Sequence, residues 1–566
     1  MRLVDSRRLT GLNRHDDRAG AAVSVRFDPG EDPSAAIARW REAVQHGLKQ
    51  LGWTATLHHR QSTDPIQGPE AELMFTAEVD RLYAATELAE WAVAVASGET
   101  PDLHPVQASA AAQVAAGRGL LELLARARAE DVPVLLDDEA LTFGWGRHGR
   151  TWPIDELPAP NAVDWSACNK IPVALVTGTN GKTTTSRLVA RIAREAGLRT
   201  GNTSTDGIDV DGVQVEAGDW TGPGAARTLL RRTELDVAIL EAARGGLLRR
   251  GLEVRGCDAA IVTNVDHDHL GEYGVHDLED LAAAKGLVTR AVRPGGRIVL
   301  GAQSPALVRW ALAQSFGAPV EWFSTDPDDP VLARHVATGG VGWTIADGMI
   351  VRREATTDEA ILPVTQPPIT FGGKARHNVA NVLGSVAVAH ALGITTEAIA
   401  AGCRAFGADP GDNPGRARAW TLADGRDVLL DFAHNRAGLE AIVDLVRALG
   451  RAPVVCFGMA GDRSDAELRD LGTMLARLGP RVVVLREAAA YRRGRDAGEV
   501  PALLAEGLHA TGFPQSAIHF ADDEPSSLDR ARELAAPGEL ILLLLHTERD
   551  VVDAWLRRAG ARLAAW

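Results

Sequence analysis

Residues 173–185 read Val-Ala-Leu-Val-Thr-Gly-Thr-Asn-Gly-Lys-Thr-Thr-Thr. The apolar run Val173 to Val176 suits a buried strand. It enters a turn holding Gly178 and Gly181, and the turn enters a helical stretch, residues 186–197. Glycines let the backbone turn tightly and offer amide N–H groups to phosphate oxygens. The helix N-terminus adds its positive dipole end. In such a loop Lys182 reaches the β- and γ-phosphates of a nucleotide, and Thr183 offers a hydroxyl to Mg²⁺. Thr179, Asn180, Gly181 and Thr184 complete the phosphate cradle. The strict GxxxxGK[ST] spacing is not met, because Val176 stands where its first glycine belongs. A phosphate loop says nucleotide and no more; kinase, GTPase and ligase all remain open.

Outward from this loop the chain alternates apolar strands with Ala-rich helical segments. Residues 171–178, 236–242, 258–264 and 295–301 read as short buried strands of a parallel sheet. A Pro-rich connection, residues 151–165, closes a first block. A second linker, Ala408 to Arg416, carries two prolines and two glycines. Beyond it strands and helices alternate again, and Leu540 to Leu545 is the most apolar run. The expected domains are 1–165, 166–409 and 410–566. The expected fold is α/β: a phosphate-loop domain with a parallel sheet, a C-terminal Rossmann-like α/β domain, and a separate α+β N-terminal domain.

The chain has 566 residues, and roughly 150 residues per domain gives about three to four domains. The net charge of −15 argues against a bulk nucleic-acid or anionic-membrane binder. Four cysteines, Cys168, Cys257, Cys403 and Cys456, stand far apart with no CxxC pair. That reads as small buried side chains in a reducing compartment rather than a zinc site or disulfide framework. No apolar run is long enough to span a bilayer, and the first residues lack a signal-peptide core. A cytoplasmic location is expected.

Two further stretches carry chemistry. Glu241 ends the strand DVAILE, on the rim where the phosphate loop lies, and can ligate Mg²⁺. The bland alternative is a carboxylate at a helix start. The strand ending at Asn264 leads into Asp266-His267-Asp268-His269, two acids and two imidazoles in four residues. They can bind a second metal or position a substrate carboxylate; the alternative is a solvated loop. Lys285 lies among apolar and small residues of a helical stretch, where a lone lysine is usually a snorkelling surface residue.

GTNGKTT, LEAARGGLLRRG, TNVDHDHLG and LAAAKGLV together resemble the Mur ligases, ATP-dependent amide ligases. Within them, TSTDGI (Thr203 to Ile208), GDWTGPGAAR, FGGKARHNVANVLG, NPGR and RRGRDAGE resemble the Mur-ligase half of cyanophycin synthetases. The resemblance covers most of residues 171–566. The first block is similar too: Arg7 to Asn13 resembles the start of those enzymes, and residues 127–152 the segment leading into an ATP-grasp domain. Residues 162–170, AVDWSACNK, resemble the first residues of that domain, yet Ile171 follows at once, as if the rest of it were missing. The implication is that the chemistry joining an amino acid to a side-chain carboxylate is kept and backbone extension is lost.

The resemblance implies roles residue by residue. Lys182 binds phosphates; Thr183 and Glu241 hold one Mg²⁺, and His269 helps hold a second. Lys285 matches the lysine many Mur ligases carry as a carbamate. Lys182, Lys285, His269 and Glu241 are thus the expected catalytic residues. Asn378 and Asn381 match the adenine-binding asparagines; Arg416 and Asp431 match the arginine and ribose-binding aspartate. Phe432 and Arg436 depart from the DYAHNP pattern, and MAGDRSD replaces a PGDR-like turn, which bears on amino-acid substrate geometry. Arg493, Arg495 and Glu499 are candidates for the amine end, and a charged surface helix is the alternative.

The implied reaction is acyl activation: ATP phosphorylates a carboxylate, and an amino-acid amine displaces phosphate, with ATP and Mg²⁺ required. The C-terminal domain is expected to bind the amine and close over ATP. The expected partners are an amino acid and an aspartyl peptide or polymer, with no nucleic acid and no membrane. Self-association and association with a cyanophycin-type synthase both stay open. For the first block, docking of an acidic polymer through Arg7, Arg8, Arg14, Arg147, His148 and Arg150 stands beside a plain packing role. Two rival readings remain: a catalytically reduced partner of such a synthase, and another phosphate-loop kinase or NTPase.

Overall fold

The computed structural model describes residues 1–64, 67–117, 119–268, 270–487 and 489–564. The chain divides into two compact units: Met1–Trp322 with Ala387–Thr395, and Phe323–Val386 with Thr396–Trp566.

In the first unit the expected strands form, and each lies where its apolar run predicts. Thr200–Ser204, Val237–Glu241, Val173–Thr177, Cys257–Val262 and Val292–Gly301 are neighbours in that order, all parallel. Every residue of the Val173–Thr177 and Val237–Glu241 strands is buried, as an apolar run covered on both faces requires. The antiparallel strands Gly207–Val210 and Val213–Ala217 extend the edge beyond Thr200–Ser204. The phosphate loop therefore leaves the middle of a parallel sheet, at the C-terminal strand ends where such sheets bind ligands.

The N-terminal block is α+β and belongs to the same compact unit. Its four-stranded antiparallel sheet runs in the order Arg2–Leu9, Gly20–Arg26, Gly68–Thr76, Leu57–Asp64. Side chains alternate across this sheet. Val23, Val25, Leu73 and Phe75 face Trp40, Val44, Leu88 and Ala92 of two covering helices, Pro33–Leu51 and Leu82–Ala96. The opposite face carries Arg7, Ser24, Arg60, Ser62, Glu70 and Glu72. This polar face packs against the loops around residues 248–280: Arg7 donates to the Leu248 carbonyl at 3.2 Å and Arg60 to that of Gly274 at 2.7 Å.

The second unit carries a seven-stranded sheet. Ile518–Ala521, Val482–Arg486, Pro453–Phe457, Leu540–Leu544 and Asp427–Asp431 run parallel, and Arg418–Thr421 and Arg562–Leu563 complete it antiparallel. Leu540–Leu544 is central and wholly buried, with apolar clusters on both sheet faces. The four cysteines are buried free thiols. Burial pushes those of Cys403 and Cys456 up to about 12, so they are inert small side chains as expected. Among the described residues no helix is long and apolar enough to cross a membrane.

Candidate active site

The phosphate loop is shaped by two glycines that no other residue replaces without strain. Gly178 has φ +151°, and a Cβ there would meet the Thr263 hydroxyl at 1.8 Å. Gly181, at φ +84°, caps the helix Lys182–Glu195. The neighbouring strand end staples the loop from outside. Asn264 accepts the Asn180 N–H through its side chain at 2.9 Å and the Thr179 N–H through its carbonyl at 2.9 Å. The Thr263 hydroxyl donates to the Asn180 carbonyl at 2.7 Å, and the Thr179 hydroxyl accepts the Asp266 N–H at 3.0 Å. The loop is thereby held before any ligand arrives, which lowers the ordering cost of binding.

Glu241 lies against this loop. The Thr183 hydroxyl donates to one of its carboxylate oxygens at 2.9 Å, and the Thr205 hydroxyl to the other at 3.1 Å. Its backbone N–H donates to the Thr203 hydroxyl at 3.2 Å. Glu241 and Thr183 are both buried. Glu241 ends its strand, and its carboxylate accepts the Thr183 hydroxyl, on the first turn of the helix Lys182–Glu195, and the Thr205 hydroxyl. TSTDGI thus supplies two supports for Glu241, Thr203 and Thr205, whose role its sequence does not signal.

Lys285 is not a snorkelling surface residue. It is buried in the helix Leu278–Gly286, and its Nζ donates to the Gly178 carbonyl at 2.7 Å. Burial holds its ammonium well below the usual lysine range, and the nearby Lys182 charge pushes the same way; Asp268 and Glu241 oppose it. Lys182 is half-buried, its Nζ folded back onto the Thr179 carbonyl at 3.0 Å. Thr184 is buried on the same first helical turn. The structure therefore gathers Lys182, Thr183, Glu241 and Lys285 around one loop. His269 lies outside the described residues, and His267 is exposed.

The second unit holds the other expected residues. Asn378 and Asn381 are buried on the helix Arg376–Ala391, where the Asn381 amide donates to the Asn378 side-chain oxygen at 3.0 Å. Asn378 in turn donates to the Ile369 carbonyl at 2.9 Å. Asp431 accepts the Ala417 and Ala433 N–H groups at 2.9 and 2.8 Å. Burial raises its carboxyl to about 6 despite those bonds. The Arg416 guanidinium lies 4.7 Å from the centre of the Phe432 ring, so the departure from tyrosine keeps an aromatic face for that arginine. Arg436 pairs with Asp470 at 2.8 Å at a helix start. Arg495 ties the MAGDRSD turn, donating to the Gly461 and Arg463 carbonyls and pairing with Asp465 and Glu499.

The cations expected to dock an acidic polymer are mostly committed elsewhere. Arg7 and Arg14 converge on buried Glu72, with His15 at 3.1 Å from the same carboxylate. Arg147 pairs with Asp236 at 2.5 Å. Arg8 lies over the Tyr83 ring at 3.6 Å.

Residues 176–389 match the Mur ligase middle domain, and residues 415–544 match the Mur ligase glutamate ligase domain. The chain belongs to the Mur ligase family. Cyanophycin synthetase of Synechocystis sp. is 36% identical over 386 residues, 68% of this chain and 43% of that protein. The same enzyme of Crocosphaera subtropica is 37% identical over 69% of this chain and 44% of that protein. The chain thus spans less than half the length of these curated relatives. A UDP-N-acetylmuramoyl-L-alanyl-D-glutamate–2,6-diaminopimelate ligase of Gloeobacter violaceus is 30% identical over 56% of this chain and 61% of its own. Among solved structures, E. coli FolC in complex with DHPP and ADP shares the Mur ligase fold, at TM-score 0.50 and 22% identity, covering 68% of this chain and 89% of that one.

Proposed function

We propose that this chain is an ATP-dependent, ADP-forming amide ligase that joins an amino-acid amine to a carboxylate of an aspartyl peptide or cyanophycin-like polymer. The observation that carries the reading is the cluster on one phosphate loop: Lys182, the Thr183–Glu241 bond, and Lys285 on the Gly178 carbonyl. The substrate class draws on the cyanophycin synthetase relatives.

A substrate carboxylate oxygen attacks the γ-phosphorus of ATP, and the bond to the bridging oxygen breaks, giving an acyl phosphate and ADP. The amine then attacks the acyl carbon, phosphate leaves, and the nitrogen loses a proton to give the amide. Lys182 and the loop N–H groups face the charge that develops on the transferring phosphoryl group. The Thr183 hydroxyl and Glu241 carboxylate form an all-oxygen donor pair, which fits a hard divalent cation such as Mg²⁺. Bound there, the ion supplies positive charge against the phosphate oxygens. His269 is proposed to serve a second metal. Asn378, Asn381, Arg416 and Asp431 are proposed to serve the nucleotide, within functional domains 1–165, 166–409 and 410–566. A cytoplasmic location is proposed with them.

Hydroxylamine trapping tests the acyl phosphate. With ATP, Mg²⁺ and an aspartyl peptide the chain should form a hydroxamate. Lys182→Ala should lower that rate on the order of 10²–10³-fold. A variant that keeps the full rate, or a wild type that forms no hydroxamate, contradicts the reading.

A further inference from the structure

Where the polar face of the N-terminal sheet meets the rest of its unit, Asp64, Glu70 and His276 come together. One donor atom from each lies within 4.8 Å of the other two. Register explains two of them. Ser62 pairs with Glu70 and Asp64 with Gly68 across the two strands, so Asp64 and Glu70 project from the same face, diagonal to one another. His276 arrives from the segment just before Asp277, which caps the helix carrying Lys285.

The imidazole is only half satisfied. His276 Nε2 lies 2.8 Å from a Glu70 carboxylate oxygen that also accepts the Ser62 hydroxyl at 3.0 Å. Its Nδ1 is buried and has no hydrogen-bond partner among the described residues, although the side chain is only 9% exposed. A buried nitrogen left so is costly and calls for a reason. Asp64 is 8% exposed, and one of its oxygens accepts the Gln67 N–H at 2.8 Å. Arg60, on the same sheet face, is engaged by Asp280 and by the Gly274 carbonyl.

We infer that Asp64, Glu70 and His276 form a divalent-cation site that clips the N-terminal sheet to the start of the Lys285 helix. One imidazole nitrogen and two carboxylates are the donor set of a borderline cation, Zn²⁺ ahead of Mn²⁺. With the ion on Nε2, the nitrogen that faces Glu70, Nδ1 would donate to a water, as the second nitrogen of a metal-bound histidine does. Three protein ligands leave a position for water, which suits a bridge between two elements. The site is separate from the Thr183–Glu241 pair, and the inference does not rest on the ligase reading.

The test uses the full-length chain, stripped with EDTA and titrated with Zn²⁺ by calorimetry and elemental analysis. The comparison is an Asp64→Asn, His276→Gln double variant, in which the phosphate-loop site is untouched. Wild type should bind one more equivalent, and Zn²⁺ should raise its thermal midpoint beyond any rise in the variant. Should the double variant fold poorly, His276→Gln alone carries the test, since glutamine still donates to Glu70. It should weaken Zn²⁺ binding at this site by at least about tenfold. Equal stoichiometry, affinity and midpoint shift in wild type and variants would overturn the inference.

Discussion

Lys285 Nζ lies 2.7 Å from the Gly178 carbonyl oxygen, so the helix Leu278–Gly286 is bonded directly to the first glycine of the phosphate loop. Burial favours the neutral amine, the form that reacts with carbon dioxide. A carbamate nitrogen keeps one N–H, enough to retain the bond to Gly178. Lys285→Ala should therefore lower amide formation on the order of 10²–10³-fold. Small carboxylates such as formate should restore part of that activity. A fully active alanine variant would reject this role, and loss without rescue would reject the carbamate.

Glu241 is gripped by Thr183 and Thr205, and its proposed role is to hold the Mg²⁺ ion with Thr183. Glu241→Gln keeps the shape and removes the charge. The Mg²⁺ concentration for half-maximal activity should rise at least about tenfold, and EDTA should abolish wild-type activity reversibly. Unchanged Mg²⁺ dependence in the variant would place the metal elsewhere.

Asp431 gives a pH signature. Its carboxyl is raised to about 6 in the fold, against 3.8 for the ordinary group. Between these values the folded chain keeps a proton that the unfolded chain has lost. The contribution to stability is full below about 4 and is lost as pH rises through about 6. Asp431→Asn removes the titration. In urea unfolding, the stability of the variant relative to wild type should rise from pH 4 to 6 and level off above. A pH-independent difference would contradict this.

Glu72 anchors the N-terminal sheet. Arg7, Arg14 and His15 all converge on its buried carboxylate, and together they hold it ionised. Glu72→Gln leaves two guanidinium groups poorly compensated in a buried site. Destabilisation of about 3–5 kcal/mol is expected by chemical unfolding. A loss below about 1 kcal/mol would show that the cluster is solvated.

What is legible in the sequence follows from distance along the chain. The phosphate loop is readable because strand, glycines, lysine and helix are contiguous, and the parallel strands are readable because burial on both faces leaves unbroken apolar runs. The support of Glu241 by Thr205 is not, since 36 residues separate them and only the pairing of parallel strands brings them together. Arg7 and Arg14 read as free cations because charge is visible in a sequence and its partner is not. Strand register puts Glu72 on the same sheet face as Arg7, in line with Ser24 on the strand between them, and the turn after the first strand brings Arg14 to the same carboxylate. Lys285 shows the same limit: a lone lysine among apolar and small residues reads as a snorkelling surface side chain until the phosphate loop is packed against it.

Amide ligation is tested most directly by ADP release by the full chain, with ATP, Mg²⁺, an aspartyl polymer and a panel of amino acids, each omitted in turn. ADP and phosphate should appear in step with a new amide, and only when both the polymer and a suitable amine are present. ADP release that ignores the amine, or a stable phosphorylated product in place of an amide, would contradict it.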